Sequence, residues 1–227
     1  MNSIGKYTAE SFTRFLKIEQ PYPDNYCGQL LKLLKIILRD AEKSGLKAHP
    51  YSNYIESFKQ KSSDRILHIL NPQEIKALKE LKYIPKVYTD SYRWLLIGLC
   101  IGQRVSDNLK LPPNTLRKAP TGLYIDILQQ KTKKAVTVGV ADSLVIKLLE
   151  KEFPRRFLQV VFHKQMKSLC KMAGIEGLVS GFKSNPKTRR KEIVNAPKYA
   201  FVTSHIMRRS FASNYYGKIE TPLLMNI

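Results

Sequence analysis

Apolar residues recur at helical spacing over most of the chain, and the first part of the sequence predicts two helices. The first begins at about Ala9 and ends before Pro21, because proline interrupts a helix. The second is longer and amphipathic, begins at about Asn25 and ends at Gly45. Its predicted apolar face consists of Leu30, Leu34, Ile37, Leu38 and Ala41.

Helical signals continue after residue 65. The stretch Asn71–Glu74 has the pattern of a capping box with Pro72 at the first helical position. A more buried helix is predicted over Thr89–Leu99, with Gly102 as its stop. Further helices are predicted over Asp142–Phe153, Phe157–Ala173 and Ser204–Gly217.

In two regions the period changes to that of strands. Apolar and polar residues alternate over Leu123–Gln129, and Val136–Val140 reads as a return strand after the basic turn Lys131–Lys134. Leu178–Phe201 is interrupted by glycine and proline and predicts short strands joined by the Lys/Arg-rich loop Lys187–Lys191. The predicted fold class is therefore α+β, mainly α with a small β-hairpin or sheet.

The pattern divides the chain into two domains. Gln60–Asp64 is short and polar, which is typical of a linker. We therefore expect a small helical domain over residues 1–64 and a larger mixed domain over residues 65–227.

The composition of the chain narrows the classes of function that it can have. The chain has 227 residues, is 43% hydrophobic and carries a formal net charge of +21, so it can bury a core while remaining strongly basic. Residues 155–218 contain 14 lysines and arginines against 2 acidic residues. A folded chain with this much positive charge usually binds a polyanion, most often nucleic acid. The alternative is a protein that is merely basic.

Other classes of partner are disfavoured. Cys27, Cys100 and Cys170 have no paired spacing, so we interpret them as reduced core residues and expect no metal site and no cofactor. The sequence has no signal peptide and no apolar run long enough to cross a membrane. We expect no membrane partner and no small-molecule substrate.

The stretch Thr203–Gly217 contains candidate chemistry. His205 and Arg208 are three residues apart and therefore neighbours at the start of the predicted helix, after Ser204 as N-cap. Free N–H groups and the helix dipole attract a phosphate there. The alternative is a basic surface helix with an incidental histidine, and this stretch alone does not separate the two interpretations.

Two turns carry further candidates. Arg104 lies in a tight turn between the buried helix and a short helix that Ser106 is predicted to cap, which can aim an arginine rigidly. The alternative is a surface arginine in a loop. Lys131 lies in the basic hairpin turn, for which a solvated charged turn is the usual interpretation.

Taken together, these motifs resemble those of the tyrosine recombinases, the phage-type integrases. Gly-Gln-Arg-Val-Ser-Asp, from Gly102 to Asp107, resembles the first arginine box of that family. Gln-Lys-Thr-Lys-Lys, from Gln130 to Lys134, resembles the lysine hairpin, and Thr203–Ala212 resembles the His-x-x-Arg box as written in integrases of bacterial mobile elements. The three motifs occur in the family's order. The resemblance implies a tyrosine recombinase catalytic domain over 65–227 and, more loosely, a helical core-binding domain over 1–64, incomplete at its start.

The resemblance implies a role for each matching residue. Arg104 and Arg208 bind the scissile phosphate, Lys131 protonates the leaving 5′ oxygen, His205 contacts the phosphate or moves a proton, and Asp107 supports Arg104. No metal is required for this chemistry. DNA contacts are expected from Lys133, Lys134, Arg189, Arg190, Lys191 and Arg209.

The sequence departs from the family pattern after the His-x-x-Arg box. The family places a second His or Trp and then the nucleophilic tyrosine farther on, whereas the tyrosines after Arg208 are Tyr215 and Tyr216, on the same predicted helix. We expect neither to be the nucleophile. Gly139 also occupies a position where the family usually has proline. The expectation is a piece of an integrase that precedes the nucleophile and is inactive alone.

Two functions remain open. The first is a site-specific recombinase or integrase that cleaves and rejoins DNA through a 3′-phosphotyrosyl intermediate, with double-stranded DNA as partner and homo-oligomers on DNA. The second is a non-catalytic DNA-binding accessory or regulatory protein derived from that fold. By the same resemblance the protein is expected in the bacterial cytoplasm, associated with the nucleoid when bound to DNA, and to belong to a mobile genetic element.

Overall fold

The computed structural model describes residues 4–20, 22–47, 49–58, 66–186 and 191–226. The helices are α1 (Lys6–Arg14), α2 (Asp24–Lys43), α3 (Pro72–Lys79), α4 (Thr89–Ile101), α5 (Val105–Asn108), α6 (Ser143–Glu150), α7 (Gln159–Met172), α8 (His205–Tyr215) and α9 (Thr221–Asn226). The strands are β1 (Leu116–Ala119), β2 (Gly122–Leu128), β3 (Ala135–Gly139), β4 (Leu178–Ser184) and β5 (Lys191–Pro197). The predicted class, mainly α with small antiparallel sheets, is confirmed.

The chain forms two compact units. One contains the chain up to Ile66 together with residues 180–194, and the other contains Leu67–Val179 and Asn195–Ile227. The predicted linker Gln60–Asp64 lies outside the described residues. The assignment of residues 1–64 and 65–227 as core-binding and catalytic domains stays a prediction.

The first unit is built on α1 and α2. Its core consists of Ala9, Leu31, Leu38 and Ile55. A π-helical turn over Phe15–Glu19 extends α1. Gly28 lies against the backbone of Phe58 so closely that an added Cβ would stand 1.8 Å from the Phe58 carbonyl oxygen. Position 28 therefore admits no side chain unless α2 moves.

The buried face of α2 differs from the predicted one. Leu31 is buried although it was not placed on the predicted face, and Ile37 is 48% exposed although it was. Cys27 and Gly28 are also buried, so the packed face is rotated along the helix. The helix has apolar residues nearly all round, so apolar spacing alone did not determine which side is packed.

The second unit is organised around α4. Nine residues of this helix are buried, including Trp94, whose Nε1 donates to the carbonyl oxygen of Arg155 at 2.8 Å. Strands β1, β2 and β3 form an antiparallel sheet in chain order. In that sheet Ile125 lies opposite Val138 and Ile127 opposite Val136, and all four face the core.

The start of the second unit is bonded to α8. The N–H of Leu70 donates to Ser210 Oγ at 2.7 Å, and Asn214 Nδ2 donates to the Leu70 carbonyl oxygen at 3.0 Å. Leu70 is fully buried. These two hydrogen bonds join segments that are 140 and 144 positions apart in the sequence, and they close the second unit.

The N-terminal caps of three helices agree with the sequence predictions only in part. The capping box at α3 is present, since Asn71 Oδ1 accepts from the N–H of Glu74 and Glu74 Oε2 accepts from the N–H of Asn71. Arg104, rather than Ser106, occupies the N-cap of α5. Ser204 stands at the N-cap of α8 as predicted, but its side chain makes no capping hydrogen bond.

Two elements were not predicted. Strand β1 has four residues, too few for an alternation to be recognised, and it forms by pairing with β2. Helix α9 follows Gly217 within a short segment whose pattern gave no helical signal. None of the helices in the described ranges is both long and apolar enough to span a bilayer.

Candidate functional site

The packing of α8 against the end of α4 positions the two predicted arginines. Helix α4 ends at Gly102 in a left-handed conformation with φ of 66°, which glycine adopts without strain. A Cβ at this position would lie 2.5 Å from Cδ1 of Phe211 on α8. The chain therefore turns directly over α8, two residues before Arg104.

Arg104 and Arg208 are electrostatic neighbours. Arg208 is half-buried, and its Nη1 donates to the carbonyl oxygen of Gly102 at 3.4 Å. Burial lowers the pKa of the Arg208 guanidinium, the positive charge of Arg104 lowers it further, and Asp107 opposes both effects. Two guanidinium groups held close together in a half-buried position strongly favour an anion between or beside them.

The turn that carries Lys131 is bonded to the Arg104 segment. Arg104 Nη1 donates to Gln129 Oε1 at 3.0 Å, and Asp107 Oδ1 accepts from the N–H of Gln130 at 3.1 Å. The side chain of Lys131 is exposed. Asp107 thus contacts the lysine turn, and its support of Arg104, which the resemblance implied, stays a prediction.

His205 is the first residue of α8, one turn before Arg208, and is exposed. It has a neighbour that sequence reasoning missed. His163 on α7 is half-buried, and burial lowers the pKa of its imidazole, with smaller contributions in the same direction from the neighbouring His205 and Lys167. Two histidines from different helices therefore lie near the start of α8. No sequence signal linked them, since they are distant along the chain.

The predicted DNA contacts are placed as follows. Lys133 and Lys134 are exposed in the turn between β2 and β3, Arg209 is half-buried on α8, and Lys191 is exposed at the start of β5 in the first unit. Arg189 and Arg190 lie outside the described residues. The roles of all six residues stay predictions.

The two tyrosines at the end of α8, Tyr215 in its last turn and Tyr216 as its C-cap, have different surroundings. Tyr215 packs on Phe211 with ring centroids 4.7 Å apart and, with Cys100, lines a cavity of about 730 Å³. Burial raises the pKa of Tyr215, and the nearby Cys100 adds to this effect. Tyr216 is 71% exposed at the end of the helix. A raised pKa reduces the phenolate fraction, which does not suit a nucleophile.

Two glutamines were also missed. Gln129 is 2% exposed and Gln103 is fully buried, and Gln129 Nε2 donates to Gln103 Oε1 at 3.1 Å. The sequence did contain a signal for one of them. Gln129 continues the buried side of β2 after Ile125 and Ile127, and an amide at a position that the alternation assigns to the core requires a partner.

The arrangement suits phosphate chemistry. A pair of guanidinium groups can bind non-bridging oxygens, an ammonium group nearby can deliver a proton, and an imidazole can hydrogen-bond or transfer one. In the described ranges, no three His, Cys, Asp or Glu side chains are grouped as metal ligands.

The fold is that of the tyrosine recombinase catalytic domain, in a chain with a leading helical unit. A structure of the XerH site-specific recombinase bound to its difH substrate, in a pre-cleavage complex, matches 99% of this chain with a TM-score of 0.60 and 16% sequence identity. A lambda integrase dimer bound to a COC′ core site matches 99% of the chain and 76% of its own, with a TM-score of 0.65 and 13% identity.

These similarities define the fold. The chain spans 63% of the length of the XerH chain and 64% of that of a lambda integrase tetramer bound to a Holliday junction, which it matches with a TM-score of 0.61 and 12% identity. No protein-family model and no curated protein matches the sequence.

Proposed function

We propose that this protein binds double-stranded DNA and holds one phosphodiester for cleavage and rejoining by tyrosine recombinase chemistry. The observation that supports this best is the pairing of Arg104 with Arg208, with the Lys131 turn bonded to the same segment. The net charge of +21 supplies the general attraction to DNA.

Each residue has a role that its chemistry suits. Arg104 and Arg208 neutralise the negative charge that builds on the non-bridging oxygens when a phosphodiester is attacked. Lys131, exposed on its turn, protonates the departing 5′ oxygen. His205, beside Arg208, hydrogen-bonds the phosphate or moves a proton.

The nucleophile is proposed to come from outside these 227 residues. Tyr215 lines a cavity together with Cys100, and its raised pKa disfavours attack on a phosphate. Tyr216 lies beyond the last turn of α8, outside the helix that carries the His-x-x-Arg motif. The chain is accordingly proposed to supply DNA binding and the phosphate clamp, and to be inactive alone.

Further copies of the protein are proposed as partners on DNA. Lambda integrase, whose fold this chain resembles, forms a dimer on a COC′ core site and a tetramer on a Holliday junction, which supports this proposal. The link to a mobile genetic element and the bacterial cytoplasmic location stay predictions.

The binding part is tested by titrating a fluorescein-labelled mixed-sequence duplex and following anisotropy at several salt concentrations. We expect steep salt dependence. Arg104→Ala and Arg208→Ala should each weaken binding and reduce the slope of log Kd against log salt by about 0.9, the effect of one lost phosphate contact.

Arg117→Ala is the matched control. Arg117 is an exposed arginine of the same unit that is already paired with Asp126. Its removal should leave the salt slope unchanged. Binding that is absent at low salt, or equal losses from all three arginine variants, would contradict a phosphate site at Arg104 and Arg208.

The chemical part is tested with a nicked suicide substrate that traps a phosphotyrosyl bond. This chain should bind the substrate without forming an adduct, and a longer natural chain containing the nucleophile should form one. An adduct that disappears in Tyr215→Phe or Tyr216→Phe would place the nucleophile at the C-terminal end of α8 or directly after it. If no natural extension yields an adduct, the accessory-protein alternative is favoured.

A further inference from the structure

Gln129 is a buried amide directly after strand β2. It is 2% exposed and continues the buried alternation of Ile125 and Ile127. Burying an amide without hydrogen bonds is unfavourable, so its partners explain why it is tolerated there.

Those partners come from both sides of the proposed phosphate site. Gln129 Oε1 accepts from Arg104 Nη1 at 3.0 Å and from Thr132 Oγ1 at 2.6 Å. Gln129 Nε2 donates to Oε1 of Gln103, the residue before Arg104, at 3.1 Å. One side chain therefore joins the arginine segment to the turn that carries Lys131.

The main chain of Gln129 closes the same turn. Its N–H donates to the carbonyl oxygen of Lys134 at 2.9 Å, and its carbonyl oxygen accepts from the N–H of Lys133 at 2.8 Å. Lys131 lies inside this closed loop, and its side chain is exposed. The base of the turn is thus held while the lysine remains accessible.

An amide suits this position better than a carboxylate. Guanidinium has five N–H donors, and in the described part of the chain Gln129 Oε1 accepts from one nitrogen of Arg104, which leaves the other donors for an anion. A neutral acceptor fixes the guanidinium without neutralising it. A carboxylate would form an ion pair that competes with phosphate.

We infer that Gln129 is a positioning residue for the proposed phosphate site, holding Arg104 and the Lys131 turn in their working arrangement before DNA binds. This inference rests on the proposed function. It assigns Gln129 no contact with DNA, and its effect on binding passes through Arg104.

The test is a double-mutant cycle on duplex DNA binding with the full chain. Gln129→Met, similar in length and unable to accept the hydrogen bonds, should weaken binding about tenfold, as expected when one charged contact is lost. In an Arg104→Ala background the same change should have less than about a twofold effect, because the residue it positions is gone. Gln73→Met, at an exposed glutamine of α3 in the same unit, is the matched control and should leave binding unchanged.

Gln129→Glu separates positioning from packing. The carboxylate keeps a hydrogen bond to Arg104, so a purely structural role predicts milder loss than in Gln129→Met. We expect loss at least as large, because the ion pair competes with phosphate. In the free chain, the Arg104 side-chain N–H signal in NMR should be sharp and should broaden in Gln129→Met, which requires no DNA.

The outcomes are distinguishable. If Arg104→Ala leaves DNA affinity unchanged, the proposed function fails and the inference falls with it. If Arg104→Ala weakens binding but Gln129→Met does not, or does so equally in both backgrounds, the inference alone is wrong. An Arg104 signal that is unchanged in Gln129→Met would also overturn it.

Discussion

At the scale of single residues, Asp126 shows how the exposed face of the sheet is organised. Its carboxylate accepts from Arg117 Nε at 2.6 Å, from Arg117 Nη2 at 3.2 Å and from Thr137 Oγ1 at 2.6 Å. The hydrogen bonds from Arg117 and Thr137 lower the pKa of Asp126 to about 2. Three strands are joined here by one carboxylate.

Arg117→Gln should raise the pKa of Asp126 from about 2 toward its ordinary value near 4, because the main partner of the charged form is lost. An NMR titration of the Asp126 carboxyl carbon measures this. Because the folded pKa is depressed, the pair stabilises the fold above pH 4, and that contribution is lost as the pH falls toward 2.

Lys118→Gln is the control for this titration. Lys118 is the next residue on β1 and points to the opposite face of the sheet from Arg117. Its removal should leave the pKa of Asp126 unchanged. An Asp126 pKa that stays near 2 in Arg117→Gln would mean that Thr137 and other groups, and not Arg117, set it.

Candidate site residues could be proposed from the sequence where they lie in motifs of closely spaced residues. Arg104, Lys131, His205 and Arg208 could be proposed as site residues because each lies in a short motif, and their roles stay predictions. Gln129 and His163 were not found, since their importance depends on partners that folding brings together. Gln129 lies 25 residues from Arg104 and 26 from Gln103.

At the scale of elements, two helices of the second unit are stabilised at their N-termini in different ways. Helix α3 begins with a complete capping box between Asn71 and Glu74. Helix α8 begins at Ser204, which is buried but makes no capping hydrogen bond. The first start is stabilised by its cap, whereas α8 is held mainly by packing on α4.

Asn71→Ala should therefore lower the free energy of unfolding by about 1 kcal/mol, the usual effect of losing an N-cap. Ser204→Ala is the matched change and should cost less than about 0.5 kcal/mol, because no capping bond is lost. Urea unfolding followed by the fluorescence of Trp94 measures both. Equal losses would show that Ser204 caps α8 in solution.

Elements with strong local signals were predicted and those that depend on neighbours were not. The capping box, the stop of α4 at Gly102 and the β2–β3 hairpin were all predicted correctly. Strand β1 forms because β2 offers an edge, and the packed side of α2 depends on Ala9 and Ile55. Neither fact is encoded in the local pattern.

At the scale of the whole molecule, each unit has its own hydrophobic core. Trp94, the single tryptophan of the sequence, is fully buried in the core of the second unit. Its fluorescence therefore reports on the second unit. Circular dichroism reports on the helices of both units, including α1 and α2 of the first unit.

Gly28→Ala should unfold or strongly destabilise the first unit, by about 3 kcal/mol or more, because its Cβ would collide with the Phe58 carbonyl oxygen. The helical circular dichroism signal should fall in the absence of denaturant. The midpoint of the Trp94 fluorescence transition should change little.

Gly102→Ala is the reciprocal variant. A left-handed alanine that also collides with Phe211 should destabilise the second unit by about 2–4 kcal/mol and lower the Trp94 midpoint. If Gly28→Ala lowered the Trp94 midpoint as much as Gly102→Ala does, the two cores would have to be treated as one cooperative system.

The bonds between Leu70 and α8 have a consequence for how the protein is made. At translation rates of about 5–20 residues per second, Asn214 is synthesised roughly 7–30 s after Leu70. During that interval the nascent second unit lacks the helix that covers Leu70 and the end of α4. The residues of the first core, Ala9 to Ile55, are all synthesised before this interval begins. During synthesis the larger unit therefore completes its fold after the first core is present, with apolar surface that chaperones can bind in the meantime.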